Sequence, residues 1–328
     1  MYNMAPTKPK GINNMGSTCY INAVLQSLGA CPTFLSYVFQ EKEYEDAIIF
    51  DHLRRVYKTI FVEDETSSPR NFLRAVHNKI HGMMYVFEQN DINEFLAIII
   101  DKLNGEICRP FDVQMGPYQN TLYDKQRKKM DDSWAQSHRK EYSDLADMFY
   151  GQTITQIICG GCGKVHHNHE VVMNIMLSIG DSKTIYECLD THFADEVVNN
   201  SSEDDAWRCD GCNQCVESKK TTKLWRTPQI LIISLKRFNS NLKKISTHIE
   251  APFDIDISKH LIGPTSQHTY TLKSVAYHYG SFHGGHYFAT CKHGDEWSIY
   301  DDEDVKKIDE IGDAVKAGYV YFYDLDRS

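Results

Sequence analysis

Apolar and polar positions alternate with two different periods along this chain. From Cys19 the apolar residues Ile21, Val24, Leu25 and Leu28 recur at helical spacing. The stretch before them, with Gly11, Asn13, Asn14 and Gly16, reads as loop. Helical patterns return over 45–60 and 70–80, and again from Asn90 to Leu103, where Ile92, Phe95, Leu96, Ile99 and Leu103 share one face. Residues 104–147 are polar and mixed in charge, and are expected to form a loop-rich connector. From about residue 150 the signal changes to short β-branched and aromatic runs. The clearest are Gln229 to Phe238, Thr269 to Tyr279, Gly285 to Lys292, Trp297 to Asp301 and Tyr319 to Leu325. Helices first and strands later predict an α+β fold rather than alternating βαβ units.

Composition narrows the functional classes. The chain has 328 residues, 41% of them apolar and 24% charged, in the range of a globular protein with a sizeable core. No apolar run approaches the roughly 20 residues that span a bilayer, so no membrane partner is expected. The start, MYNMAPTKPK, lacks the apolar segment of a secretory signal, which favours residence inside the cell, in cytoplasm or nucleus. The ten cysteines are then thiols, metal ligands or catalysts rather than disulfides. A net charge of −10 disfavours a nucleic-acid partner and suits a basic one. A monomer is expected.

A reactive cysteine needs an environment that favours the thiolate. Cys19 lies where the loop runs into a helix, so its sulfur would face the positive end of the macrodipole. Asn14, five residues earlier, is placed to turn its amide toward the oxyanion of a tetrahedral intermediate. Read alone, the segment equally admits Cys19 as a small buried hydrophobe.

The segment YHYGSFHGGHYFATCKHGDEWSIYDDEDV offers a base. Gly294-Asp295 is a favourable two-residue hairpin turn. With His293 and Glu296 flanking it, His286 faces Glu303, and Asp301 is its diagonal neighbour on the same face. Asp301 can then hold the imidazole of His286 as a carboxylate orienter. The two glycines before His286 leave room for a substrate backbone. His278, His283 and His293 are competitors, read as histidines without a catalytic role. Asp302 points to the opposite face in this register, which leaves it a secondary candidate with a water-mediated or oxyanion role.

Two CxxC pairs, Cys159/Cys162 and Cys209/Cys212, each place two thiolates on a tight turn. Together they make the four ligands of a closed structural zinc site. The long gap between them predicts knuckles at the tips of two arms with an insertion between. Cys215 is spare, and His166, His167 and His169 read as surface residues.

These residues together resemble the ubiquitin-specific proteases, a papain-like family. GINNMGSTCYINAVLQSL resembles its Cys box and YHYGSFHGGHYFATCKHGDEWSIYDDEDV its His box. Between them EQNDINEFL, DMFYGQTITQIICGGCG, WRCDGC and TPQILIISLKRF resemble further family motifs, in the family's order over about residues 10–325. The resemblance implies a hand: a helical thumb over about 10–110, zinc-tipped β fingers over about 150–228, and a β-rich palm in the remainder of a 10–328 catalytic domain, after a tail at 1–9. It implies hydrolysis after the C-terminal Gly-Gly of ubiquitin, with ubiquitinated proteins or chains as partners and one structural zinc. It matches Cys19 to the nucleophile, His286 to the base, Asp301 to the orienter and Asn14 to the oxyanion donor. It also matches Cys159, Cys162, Cys209 and Cys212 to the zinc ligands. Gln89, Asp91, Gly285 and Tyr287 fall at positions lining the cleft for ubiquitin's basic tail, where Asp91 would pair with an arginine. Ser17 stands where the family usually has Asn or Ala, and Asn90 where it often has Gln. The competing readings are a ubiquitin-binding scaffold, a protease for another Gly-Gly modifier, and a zinc-ribbon nucleic-acid binder.

Overall fold

The computed structural model describes residues 9–80, 82–110, 117–119, 121–139, 141–198, 207–264 and 268–326, so nearly all of the expected N-terminal tail lies outside the described residues. Helix α1 (Cys19–Gly29) starts at the predicted position, and all of its residues are buried. It is followed by α2 (Pro32–Val38), whose first residue is a proline that loses no helical hydrogen bond there. Helices α3 (Ile48–Phe61), α4 (Arg70–Ile80) and α5 (Ile92–Ile107) occupy the three predicted helical stretches. Asp91 sets the start of α5 by accepting a hydrogen bond from the Asn93 amide.

The 104–147 stretch departs from expectation. It carries α6 (Leu122–His138) and α7 (Asp144–Phe149) rather than loop alone. Helix α6 buries only Met130, Trp134 and His138, one residue per turn, so no broad apolar stripe appears in its sequence. Its start is marked instead by Thr121, which caps the Asp124 amide, while Ser143 caps α7 in the same way.

The strands form two sheets. In chain order come β1 (Gly151–Cys159), β2 (Val165–Val172), β3 (Asn174–Ser178), helix α8 (Ile185–His192), β4 (Glu196–Val198), β5 (Ser218–Arg226) and β6 (Ile230–Lys236). Then follow β7 (Asp254–Asp256), β8 (Thr269–Ser281), β9 (Gly284–His293), β10 (Glu296–Asp301), β11 (Asp304–Ile308) and β12 (Val320–Leu325). The finger sheet has the order β2-β1-β5-β4. The palm sheet has the order β11-β10-β9-β8-β12-β6-β3, with β7 added to β8. Only the β3–β6 pair is parallel among the described strands.

Two cores sandwich the palm sheet. One joins α1–α5 and α7 to the face that carries Ala276, Tyr287, Ala289 and Cys291. The other lies behind the opposite face, with Leu177, Leu189, Tyr277, Tyr321 and Tyr323. Each large side chain so buried contributes about 1.5–3 kcal/mol. Helix α1 is thus a wedge between thumb and palm. Asn93 ties the same two parts together, since its Oδ1 accepts from Ser234 Oγ at 2.6 Å and from Asn174 Nδ2 at 3.0 Å. The fingers join the hand through Met130, Ile154 and Trp225. Among the described residues no helix is long and apolar enough to cross a membrane.

Candidate active site

The loop before α1 is wound around one side chain. Asn14 Oδ1 accepts from the amides of Gly16 at 3.0 Å and Thr18 at 3.2 Å, and from Thr18 Oγ at 3.2 Å. Gly16 has φ +91° and Ser17 φ +53°, left-handed conformations in which glycine or asparagine is less strained than serine. With its oxygen held in this way, Asn14 turns its NH2 group outward. One hydrogen goes to Asp302 Oδ2 at 2.8 Å, and the other has no acceptor among the described residues. Cys19 stands at the first helical position, where backbone N–H groups have no intrahelical acceptor.

The palm hairpin has the register the turn predicts. Glu296 pairs with His293, and Tyr300 with Ala289. Strand β10 ends at Asp301, however, and the chain reverses through Asp302 and Glu303, so Glu303 does not lie opposite His286. Asp301 reaches the imidazole diagonally: His286 Nε2 and Asp301 Oδ1 are 2.5 Å apart. That bond leaves Nδ1 as the ring nitrogen not engaged by Asp301. Tyr287, the next residue, donates its backbone N–H to the Cys19 sulfur at 3.5 Å.

Asp302 differs from its strand-based placement. It occupies the turn with φ +53°, so face alternation does not apply to it. Its carboxylate holds Asn14 and also accepts from Asn22 Nδ2 at 2.7 Å, and its carbonyl accepts the Ile12 amide at 2.9 Å. Asp302 therefore fastens the loop before Cys19 to the hairpin that carries His286. Gly11 makes this approach possible, because a Cβ there would lie 2.3 Å from the Glu303 carbonyl oxygen.

Burial pushes the Cys19 thiol above its ordinary range, and the Asp302 charge adds to the push. The helix terminus therefore does not by itself offset the cost of burying the thiolate. Burial also raises the Asp302 carboxyl, opposed by the bonds from Asn22 and Asn14. The competing histidines stand apart. Burial lowers His278 to about 4, helped by the charge of Lys244. His293 is also lowered to about 4, packed between Phe61 and Tyr300. His283 sits exposed at the hairpin tip.

A cleft of about 530 Å³ runs from Cys19 between thumb and palm, lined among others by Gln89, Asp91, Glu94, Gly285, Tyr287 and Tyr319. The room expected at the two glycines is filled by the protein itself. Gln89 Oε1 accepts from the Gly285 amide at 3.2 Å, and its Nε2 donates to the Gly285 carbonyl at 3.3 Å. A Cβ at Gly284 would lie 2.5 Å from Gln89 Oε1, and one at Gly285 would lie 2.1 Å from the Tyr279 carbonyl. The glycines thus admit the Gln89 bracket across the cleft. Asp91 is committed within the chain as well: Oδ1 caps α5 and Oδ2 accepts from Tyr319 Oη at 2.7 Å. Asn90 Nδ2 clamps its own loop, reaching Tyr85 O and Glu88 O at 2.9 Å. One helical turn beyond Asp91, Glu94 is exposed in the cleft and has no hydrogen bond or ion pair among the described residues. Its signal, an acidic residue at i+3 from Asp91, was present in the sequence.

The four knuckle cysteines converge at the far end of the finger sheet. Cys159 and Cys212 sulfurs are 3.7 Å apart, Cys162 and Cys209 sulfurs 3.6 Å, and all four lie within 4.8 Å of one another. Sulfurs about 2.3 Å from a tetrahedral zinc are separated by roughly this distance, so the four residues fit such an ion. His166 is not a plain surface residue: it is half-buried, with Nε2 3.4 Å from the Cys209 sulfur and 3.2 Å from Asp210. His167 and His169 are also half-buried, and His169 meets Gln126 of α6.

Residues 10–323 match the ubiquitin carboxyl-terminal hydrolase family. Ubiquitin carboxyl-terminal hydrolase 21 of Rattus norvegicus is 27% identical, with 96% of this chain and 61% of that protein covered. Ubiquitin carboxyl-terminal hydrolase 2 of Homo sapiens is 25% identical, with 96% and 55% covered. The chain thus spans less than two thirds of the length of these relatives. Among solved structures, the SAGA Ubp8/Sgf11/Sus1/Sgf73 DUB module bound to ubiquitin aldehyde has a TM-score of 0.74 at 21% identity, covering 99% of this chain and 72% of that one. That likeness extends to the α+β hand as a whole.

Proposed function

Because the chain belongs to the ubiquitin carboxyl-terminal hydrolase family, we propose that it is a thiol isopeptidase that cleaves after the C-terminal glycine of ubiquitin. The observation that carries this reading is the His286–Asp301 pair at 2.5 Å beside a buried Cys19, with Asn14 locked nearby as a donor. His286 takes the thiol proton through Nδ1, and the Cys19 sulfur adds to the glycine carbonyl. Asn14 Nδ2 and the Cys19 N–H hold the oxyanion. The intermediate collapses as His286 gives its proton to the lysine nitrogen. The C–N bond breaks, the free amine leaves, and a thioester remains. Water, deprotonated by His286, then cleaves the thioester to a carboxylate and restores the thiol. Asp301 keeps the imidazole oriented throughout.

Ubiquitin's extended tail would occupy the cleft, which requires the Gln89 bracket to yield or to arch over it. Gln89, Asp91, Gly285 and Tyr287 form its walls. A zinc held by Cys159, Cys162, Cys209 and Cys212 would tie the finger tips and take no part in the chemistry. Residues 10–328 act as one catalytic unit, thumb about 10–110 and fingers about 150–228, and work as a monomer. The ten unpaired thiols support work inside the cell, in cytoplasm or nucleus.

Release of a fluorophore from the C-terminus of ubiquitin tests the reading. The chain should release it, and Cys19→Ala should not. Release by Cys19→Ala, or covalent trapping of another Gly-Gly modifier in preference to ubiquitin, would overturn it.

A further inference from the structure

We propose that Tyr279 is the contact for the lysine side chain on the leaving side of the scissile bond, and so selects isopeptide substrates. This inference rests on the reaction proposed above. The two faces of the β8–β9 hairpin divide the substrate between them. His278, Gly285 and Tyr287 line the cleft that takes the acyl side, and Tyr287, Ala289 and Cys291 face the α1 core. His286 belongs to the other face, opposite Tyr279 in the strand register, and neither lines the cleft. Since His286 must give its proton to the departing nitrogen, that nitrogen and its alkyl chain lie on this second face.

This face carries a built platform beside the base. Tyr277 stacks on Phe288 with centroids 4.8 Å apart and planes 12° apart. Phe288 in turn stacks on Tyr279 at 5.7 Å and 21°. The row begins buried and ends exposed, with Tyr277 4% and Tyr279 67% accessible. Tyr279 is therefore a large ring held in place by its neighbours, yet open to solvent directly opposite His286 in the register. The His286 and Asp301 side chains are themselves 43% and 51% exposed, so this route to the base is open. A lysine stem has four methylenes that pack on such a ring, and the amine that leaves becomes an ammonium attracted to its π face. The adjacent Asp301 gives the same edge a negative charge.

The test compares two substrates with one acyl group. One is ubiquitin joined by an isopeptide bond to the lysine of a short neutral peptide. The other is ubiquitin C-terminal ethyl ester, whose leaving group is too small to reach the ring. Tyr279→Ala should lower kcat/KM on the isopeptide about 2- to 5-fold, the scale of an exposed cation–π contact, and leave the ester unchanged. Tyr279→Phe should behave like wild type on both, and Tyr279→Lys should fall below Tyr279→Ala on the isopeptide alone. Equal losses on both substrates would place Tyr279 on the acyl side, and unchanged isopeptide cleavage would show no contact. Either result overturns the proposal while leaving the hydrolase intact. A wild-type chain inert on both substrates overturns the parent reading, and this one with it.

Discussion

Asp302 Oδ2 accepts a hydrogen bond from Asn14 Nδ2 at 2.8 Å, joining the loop before Cys19 to the turn after the His286 hairpin. Asn14 is exposed, and its oxygen is already committed to Gly16 and Thr18. The bond to Asp302 is what stops its NH2 group from swinging away. Loss of one oxyanion donor costs about 10²–10³ in kcat, which is the expectation for Asn14→Ala. Asp302→Ala leaves the donor present but unaimed. It should cost about 10- to 100-fold, the worth of a hydrogen bond to a charged group. KM for a ubiquitin substrate should barely move in either variant. The double variant should be little worse than Asn14→Ala, because both act through one group. Additive losses would show that Asp302 acts independently.

Gly11 predicts a second way to disturb the same junction without touching its chemistry. A methyl group at Gly11 would sit 2.3 Å from the Glu303 carbonyl oxygen and 2.6 Å from that of Asp302. Both are backbone atoms and cannot turn aside as a side chain can. Gly11→Ala should therefore push the 302–303 turn outward, costing about 1–3 kcal/mol of stability, the usual range for overpacking. A lower Tm together with a lower kcat is expected. A fall in Tm with kcat unchanged would mean that the turn moves without carrying Asp302 away from Asn14.

Which of these features the sequence reveals follows from how local their causes are. The His286–Asp301 pair is legible because a Gly-Asp turn sets the hairpin register, which holds as far as Tyr300 opposite Ala289 and brings Asp301 within diagonal reach of His286. Asp302 is not legible by that rule, since it leaves the strand for a left-handed turn where alternation has no meaning. Helix α6 is hidden because it buries one residue per turn, although Thr121 three residues before Asp124 marks its start. The room at Gly284 reads as space for substrate, because nothing local announces that Gln89 fills it from 195 residues away. The half-burial of His166 depends on the meeting of the two distant knuckles, which no local pattern reports.

In the cleft, Asp91 and Glu94 predict opposite kinds of failure. Asp91 caps α5 and accepts from Tyr319 Oη, so Asp91→Ala removes a cap worth about 1 kcal/mol and loosens the thumb. Its signature should include a lower Tm. Glu94 is exposed in the cleft with no partner among the described residues, so Glu94→Gln should leave Tm unchanged. If the basic tail of ubiquitin lies against it, KM should rise about 2- to 5-fold, the effect of an exposed ion pair, and the rise should shrink at high salt. A KM that is indifferent to Glu94→Gln at low salt would remove Glu94 from the tail site.

The raised Cys19 thiol makes a prediction about pH. Burial, then the Asp302 charge, holds its pKa above the ordinary range of a thiol, which favours the thiol form in the free chain. Alkylation by iodoacetamide, a neutral reagent, should keep accelerating with pH beyond the range, about 8.5, where an ordinary thiol levels off. Asp302→Asn removes a neighbouring negative charge and suits the left-handed turn, so it should move this limb to lower pH. The peptide bearing Cys19 can be followed by mass, apart from the nine other cysteines. A plateau reached below pH 8 would instead mean that His286 already holds the proton and that the thiolate is present before ubiquitin arrives.

The knuckle geometry makes a prediction that needs no activity measurement. Four sulfurs within 4.8 Å of one another, left as thiols, would be a crowded cluster with little to hold it; around zinc they become a closed tetrahedron. The purified chain should carry one zinc, and Cys209→Ser should carry close to none. Because the metal fits only the folded knuckles, its binding energy is folding energy. Chelation should therefore lower Tm and expose the finger strands β1 and β5 to protease first. The His286 hairpin lies in the other sheet, so alkylation of Cys19 should proceed at its normal rate in the stripped protein. A chain that binds no zinc, or whose Tm ignores chelator, would sink the metal assignment. Cys19 reactivity lost along with zinc would show instead that the fingers support the active site.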